Sequence, residues 1–238
     1  MPYLSKIWLN PLRRGTQRLV GNPQAMHAAV LGGLSRQPVT ERVLWRLEDE
    51  RHRATLLVLT DSAPSWHHLV EQAGWPSSDE PQALVRSYKP LLDRIVRGRE
   101  FAFRLRANPV AATRHPEQPS PSQRLRLEGT RPRGVRVPHR TADHQLDWLG
   151  TRAGRWGFEL VTNSAGAADV RLTARQRLVF TKSTDTKARR VTIETATFEG
   201  RLRVADVDQS IASLLGGVGS ARAYGCGLIT LAPLPDGG

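Results

Sequence analysis

Seven histidines, His27, His52, His67, His68, His115, His139 and His144, are the side chains best suited to moving a proton near neutral pH. His27 falls at the start of a predicted helix, just after a basic loop carrying Arg13, Arg14 and Arg18. That order sets a group able to act as acid or base beside groups able to hold an anion. His67 and His68 are adjacent, so on a helix they point apart, and no carboxylate or cysteine completes a metal shell with them. His139 and His144 read as contacts to a polyanion or to solvent. The second chemical feature is the run from Gly216 to Leu228, which has five glycines and Arg222 and is flanked by apolar residues on both sides. Amide groups of such a loop can cradle a phosphate, with Gly217, Gly219, Ser220 and Arg222 as the candidates. The same composition also serves as a plain helix-to-strand connector, and it fits neither the P-loop nor the dinucleotide pattern.

Composition narrows the partner. The chain has 238 residues, with 35 Lys+Arg against 22 Asp+Glu and a formal net charge of +13. Most of the excess is arginine, whose planar fork pairs with phosphate and stacks on bases, so a nucleic acid is the expected partner. Cys226 is the single cysteine, which excludes an intramolecular disulfide and a cysteine metal cluster. No metal and no cofactor are expected. The N-terminus lacks the apolar core of a signal peptide, and no apolar run is long enough to span a bilayer. A reducing, cytoplasmic setting without a membrane partner is the expectation.

Periodicity supplies the elements that must position these groups. Tyr3–Leu9 alternates as a strand. Asn22-Pro23 opens a helix with Met26, Ala29, Val30 and Leu34 on one face. Val43–Glu48 and Ala54–Thr60 read as strands, with Arg51 and Arg53 in the turn between them. Pro64–Gln72 is a short helix or loop, Ser77–Pro81 a polar break, and Tyr88–Val96 a strand or the approach to one. A second unit starts near Arg99. Glu100–Ala107 alternates, with Phe101, Phe103 and Leu105 on one face and Arg104 and Arg106 on the other. Asn108–Gln123 reads as a mobile loop, and Thr141 caps a helix to Arg152. Phe158–Val161 is a strand. Leu172–Phe180 and Val191–Val204 form a long hairpin with a polar tip at Lys182–Arg190. Asp206 caps a helix to Leu215, and Leu228–Leu231 closes the unit. The order is βαββ with an ill-defined end, then βαββαβ. This points to an α+β protein of two ferredoxin-like domains, residues 1–90 and 97–238.

Charge is concentrated in the second unit. From Arg97 to Arg140 there are eleven arginines and three glutamates, with no lysine or aspartate. Arg131, Arg133 and Arg136 lie here and are candidate phosphate contacts. The hairpin tip carries Lys182, Lys187, Arg189 and Arg190, placed to enter a groove or grip a duplex backbone. Each segment read alone is also compatible with a solvated basic face.

Several blocks together resemble one family over nearly the whole chain. They are Tyr3-Leu4-Ser5-Lys6, Phe103-Arg104-Leu105-Arg106-Ala107-Asn108-Pro109, Arg136-Val137-Pro138, Phe198-Glu199-Gly200-Arg201-Leu202 and the ending from Gly217 to Pro233. The chain resembles the CasE (Cse3) family, the CRISPR repeat-RNA endoribonucleases of type I-E systems. The resemblance implies tandem ferredoxin-like domains of the RAMP type. It implies metal-independent cleavage at the 3′ base of a repeat RNA hairpin, by 2′-hydroxyl attack, leaving a 2′,3′-cyclic phosphate and a 5′-hydroxyl. It also implies that the protein stays on the crRNA hairpin as a subunit of Cascade, and that it is a monomer when isolated.

The family carries its catalytic histidine on the first helix in a setting that Met26-His27 matches, which implies His27 as general acid or base. A tyrosine often stands three residues earlier in the family. Here that position is Gln24, which can orient a hydroxyl or phosphate but cannot act as a base. Ser35, placed later on the same helix, is a candidate donor to the phosphate. Gln24 also supports a second reading, a catalytically weak or inactive RNA-hairpin-binding subunit of the same complex.

Overall fold

The computed structural model describes residues 1–50, 53–119, 123–124, 127–128, 134–184 and 187–234. His52, Arg51, Arg131 and Arg133 lie outside the described residues.

The first unit runs β1 (Tyr3–Leu9), α1 (Arg14–Gly21), α2 (Pro23–Leu31), β2 (Leu44–Glu50), β3 (Arg53–Thr60), α3 (His67–Ala73) and β4 (Ala83–Ser87). Its sheet has the order β2-β3-β1-β4, antiparallel throughout, as a ferredoxin-like βαββαβ requires. Ile7 and Leu9 of β1 and Leu56 and Val58 of β3 face the helices. There they pack with Leu19, Met26, Val30 and Leu69.

A short helix (α4, Lys89–Leu92) leads into the second unit, which runs β5 (Glu100–Ala107), β6 (Val110–Thr113), β7 (Val135–Pro138), α5 (Ala142–Ala153), β8 (Phe158–Leu160), β9 (Val170–Thr184), β10 (Lys187–Val204), α6 (Val207–Gly216) and β11 (Ile229–Ala232). The main sheet has the order β11-β5-β10-β8, the same ferredoxin-like order, with β9 also paired to β10. β8 and β9 share one edge of β10: β8 pairs Leu202–Val204, and β9 pairs the stretch from Gly200 back to Lys187. β9 and β10 continue past the sheet as a two-stranded arm. The observed strands are longer than the predicted hairpin, so Lys182, Arg189 and Arg190 belong to the strands themselves, with Arg189 opposite Lys182.

Four further expectations need correction. Residues 14–21 form a helix where the sequence reads as a basic loop. With Leu19 and Thr16 its only buried side chains, α1 has too thin an apolar stripe to be seen locally. It is held by Thr16 Oγ1 donating to the Ala73 carbonyl at 2.9 Å, and by Gly15, where a Cβ would stand 2.2 Å from the Gln72 carbonyl oxygen. The closing strand of the first unit is Ala83–Ser87, ahead of the predicted Tyr88–Val96, which instead carries α4. Val110–Thr113, inside the predicted mobile loop, pairs with Val135–Pro138 as a small separate sheet. Helix α2 stops at Leu31, so Ser35 lies beyond it and is exposed.

The two units meet through the outer face of the first sheet. Leu44 and Leu59 join the core of the second unit, alongside Phe101, Phe198 and Leu228. Arg46 of β2 lies among them at 2 % exposure. Its guanidinium donates to Glu48 Oε1 (2.7 Å), to the carbonyls of Arg104 (2.9 Å) and Leu228 (3.1 Å), and to Thr230 Oγ1 (2.7 Å). Burial lowers the Arg46 pKa, and Glu48 acts against that shift. Removing one member of a buried, fully bonded ion pair strands the other. Arg46→Ala is therefore expected to cost about 3–5 kcal/mol, read as a lower urea midpoint, because it leaves the Arg104 and Leu228 carbonyls without this donor and Glu48 with Arg104 as its remaining cation.

Candidate functional site

Helix α2 starts where it does because Asn22 caps it. The Asn22 side chain accepts from Gln24 N and Ala25 N, and Pro23 takes the first helical position. Met26 and Val30 are buried, which leaves His27 on the half-buried side of the helix. Gln24 precedes it by three residues and shares its face.

That face meets the second unit. The 3₁₀ turn Arg222–Tyr224 of the glycine loop packs on α2, as does β9. Phe180 of the arm and Tyr224 of the loop touch with ring centroids 4.8 Å apart, so Tyr224 joins the arm to the loop. Lys182, two residues beyond Phe180, lies near enough for its charge to act on His27. The His27 pKa lies below its ordinary value, first because the ring is desolvated and second because of the Lys182 ammonium. The imidazole is therefore biased toward the neutral form near pH 7. Its Nδ1 is buried with no hydrogen-bond partner among the described residues.

The glycine loop is largely a packing element. Gly217 has φ +71°, and a Cβ there would stand 2.5 Å from Leu44; at Gly225 a Cβ would stand 2.7 Å from the Trp45 ring. Arg222 donates to the carbonyls of Gly216 (2.7 Å) and Gly217 (3.3 Å), capping the end of α6. Ser220 Oγ lies 3.2 Å from Asn108 Nδ2, and Gly219 is exposed. The expectation of a cradle built from all four residues therefore needs revision, because Arg222 and Gly217 are engaged within the protein.

Arg104 and Arg106 are also engaged. Both face a cleft of about 570 Å³ between the units, lined by Leu19, Pro23 and Trp45 on one side and Gln176 and Thr197 on the other. Arg104 pairs with Glu48 (3.0 Å) and Glu199 (2.8 Å), and Arg106 donates to Gln176 Oε1 at 2.7 Å. Burial lowers the Arg106 pKa. Arg13 donates to the carbonyls of Glu71 and Gly74 and fixes the end of α3. Arg14, Arg18, Arg136, Lys182, Arg189 and Arg190 are exposed, and Lys187 lies on β10.

The other histidines have other settings. His68 Nε2 lies 2.8 Å from the Ala29 carbonyl and ties α3 to α2. His139 and His144 form an edge-on pair 6.1 Å apart, and burial, Arg152 and His144 lower the His139 pKa. His67 and His115 are exposed. Among the described residues, no group of three or more His, Cys, Asp or Glu could hold a metal ion. Cys226 is buried completely, which pushes its thiol up to about 12. The contribution of Lys182 to the His27 environment is what sequence reasoning missed. The packing of β9 on the helix of His27 brings the two near each other, although both residues stood out as candidates.

Two ferredoxin-like units in tandem, with a basic arm from the second laid on the first helices of the first, define a RAMP-type protein. The model of the CRISPR associated protein family matches residues 2–233. CRISPR-associated endoribonuclease Cse3 of Thermus thermophilus is 32 % identical over 240 residues, covering 97 % of this chain and all of Cse3. CRISPR system Cascade subunit CasE of Escherichia coli is 31 % identical over 168 residues, covering 71 % of this chain and 75 % of CasE. A solved structure of Thermus thermophilus Cse3 bound to an RNA representing a pre-cleavage complex superposes with a TM-score of 0.73 at 30 % identity, covering 98 % of this chain and 99 % of that one. The chain belongs to the CasE/Cse3 family of CRISPR-associated proteins.

The environment of His27 sets its titration. Its NMR titration midpoint is expected below 6.5 and should rise in Lys182→Met without reaching 6.5, since burial remains. A midpoint above 6.5 in the wild type would contradict the desolvated setting.

Proposed function

We propose that the protein is a metal-independent endoribonuclease that cuts CRISPR repeat hairpins in precursor crRNA and stays on the crRNA as a Cascade subunit. The observation that carries this reading is the packing of the glycine loop and the basic arm on the helix of His27, in a chain similar over nearly its whole length to an endoribonuclease. A 2′-hydroxyl attacks the adjacent phosphate, a proton leaves it, and a proton reaches the departing 5′-oxygen. Atoms balance without water, and the products are a 2′,3′-cyclic phosphate and a 5′-hydroxyl. A neutral His27 can take the first proton, and once protonated it can supply the second. Lys182, held in register opposite Arg189, can bind the phosphate as its charge shifts between oxygens. Gln24, on the same helix face, can orient the hydroxyl or the phosphate. Ser35 is exposed past the helix and is retained only as a candidate phosphate donor.

Arg14, Arg18, Arg136, Arg189 and Arg190, with Lys187, are proposed as RNA contacts, and so are Arg131 and Arg133. Gly219 and Ser220 are kept as proposed phosphate contacts, with the Ser220 hydroxyl also bonded to Asn108. We further propose that residues 1–90 and 97–238 are the two domains, that the isolated protein is monomeric, and that it works in the cytoplasm. No helix among the described residues is long and apolar enough to cross a membrane. The second reading, a subunit that binds the hairpin and cuts weakly or not at all, is favoured by one observation: a glutamine stands one turn before His27.

Cleavage of a labelled repeat hairpin in excess EDTA separates the readings. The wild type is expected to cut. His27→Ala, and a substrate with a 2′-deoxy sugar at the cut site, should abolish cutting while binding persists. Tight binding by the wild type with no cutting would establish the second reading. Arg189→Ala should weaken hairpin binding and lower the slope of log affinity against log salt by about one. An unchanged slope would remove the arm from the RNA interface.

A further inference from the structure

The base of the arm holds a second pocket, away from His27. It measures about 300 Å³ and lies where β9 and β10 meet the start of α5. Five steps along β9 separate Arg177 in this pocket from Lys182, about 17 Å at the usual rise per residue.

The lining is polar and positively charged. Arg140, Arg175 and Arg177 converge on it, with Glu194 the one carboxylate. Glu194 lies 3.5 Å from Arg177, and Arg140 and Arg175, which also line the pocket, form no ion pair with a carboxylate among the described residues. Arg175 donates to the Arg140 carbonyl, which pins the arm to the segment leading into α5. The floor includes Gln145, 2 % exposed. Its Nε2 donates to the His139 carbonyl at 2.7 Å, which fixes the amide orientation. Its Oε1 then has no donor among the described residues. That oxygen is closed off from the surface, so it takes no part in binding.

The ligand must therefore bring an anion for the arginines. A nucleotide of RNA carries one in its phosphate. The pocket is concave and of single-nucleotide size, too small to admit a duplex, so an unpaired nucleotide fits it. We propose that this pocket binds one nucleotide of the single-stranded RNA flanking the hairpin, with its phosphate on Arg140 and Arg175. The arm then acts at two places: its outer part works on the cut site, and its base holds the strand that leads to or from the stem. This inference rests on the RNA-processing reading above.

The test compares two RNAs that carry a 2′-deoxy sugar at the cut site, a bare hairpin and the same hairpin with its single-stranded flanks. Wild type should bind the flanked RNA more tightly than the bare one. Arg140→Ala should erase that gain and lower the salt slope for the flanked RNA by about 0.7, the value for one single-strand phosphate contact. Its affinity for the bare hairpin, and its cutting of an all-ribose bare hairpin, should match wild type. Arg140→Gln, which also keeps the backbone carbonyl that Arg175 uses, should behave alike and guards against a peculiarity of one variant. Equal losses on both RNAs, or no loss on either, would overturn the proposal while leaving the endoribonuclease reading intact. Failure of the wild type to bind the bare hairpin would overturn both.

Discussion

Arg46 is the interaction on which the rest of the structure depends. It projects from the edge strand of the first sheet, and its partners are the backbone and Thr230 of two adjacent strands in the second. A buried guanidinium is expensive unless every donor is used, so the arrangement tolerates few relative positions of the two units. Glu48 extends the link by accepting from Arg46 and pairing with Arg104, which in turn pairs with Glu199. The register of β5 against β10 sets Arg104 opposite Glu199 and so completes this chain of charges.

Fixing the units in this way brings the proposed chemistry together. His27 belongs to the first unit and Lys182 to the second, with the glycine loop wedged between them. The close approach of that loop at Gly217 and Gly225 lets β2 lie against it, and Tyr224 then bridges to Phe180 of the arm. The site is an interface property: the neutral bias of His27 arises from burial and from a cation that the other unit supplies. The same arm, anchored at its base through Arg175, carries basic groups along its length.

Several arginines that composition offers as RNA contacts turn out to hold the protein together. Arg13 fixes the end of α3, Arg104 and Arg106 line the cleft, and Arg222 caps α6. Net charge is a statement about the whole surface and does not tell a solvated guanidinium from a buried one. Of the arginines singled out as RNA contacts, Arg14, Arg18, Arg136, Arg189 and Arg190 are exposed.

The sequence by itself determined the elements whose signals are local. The alternation of Glu100–Ala107 matches the observed strand residue for residue, and the caps at Asn22, Thr141 and Asp206 open helices where their side chains accept backbone N–H bonds. The family was legible in blocks of residues spread along the chain. Tertiary structure alone decided the rest. Helix α1 exists because Gly15 and Thr16 dock on the end of α3, a contact across more than fifty residues. The strand that closes the first sheet is set by pairing with β1, not by its own weak pattern. The loyalties of the arginines, and the meeting of Lys182 with His27, follow from how two sheets pack. Packing is a property of pairs distant in sequence, and no local period records it.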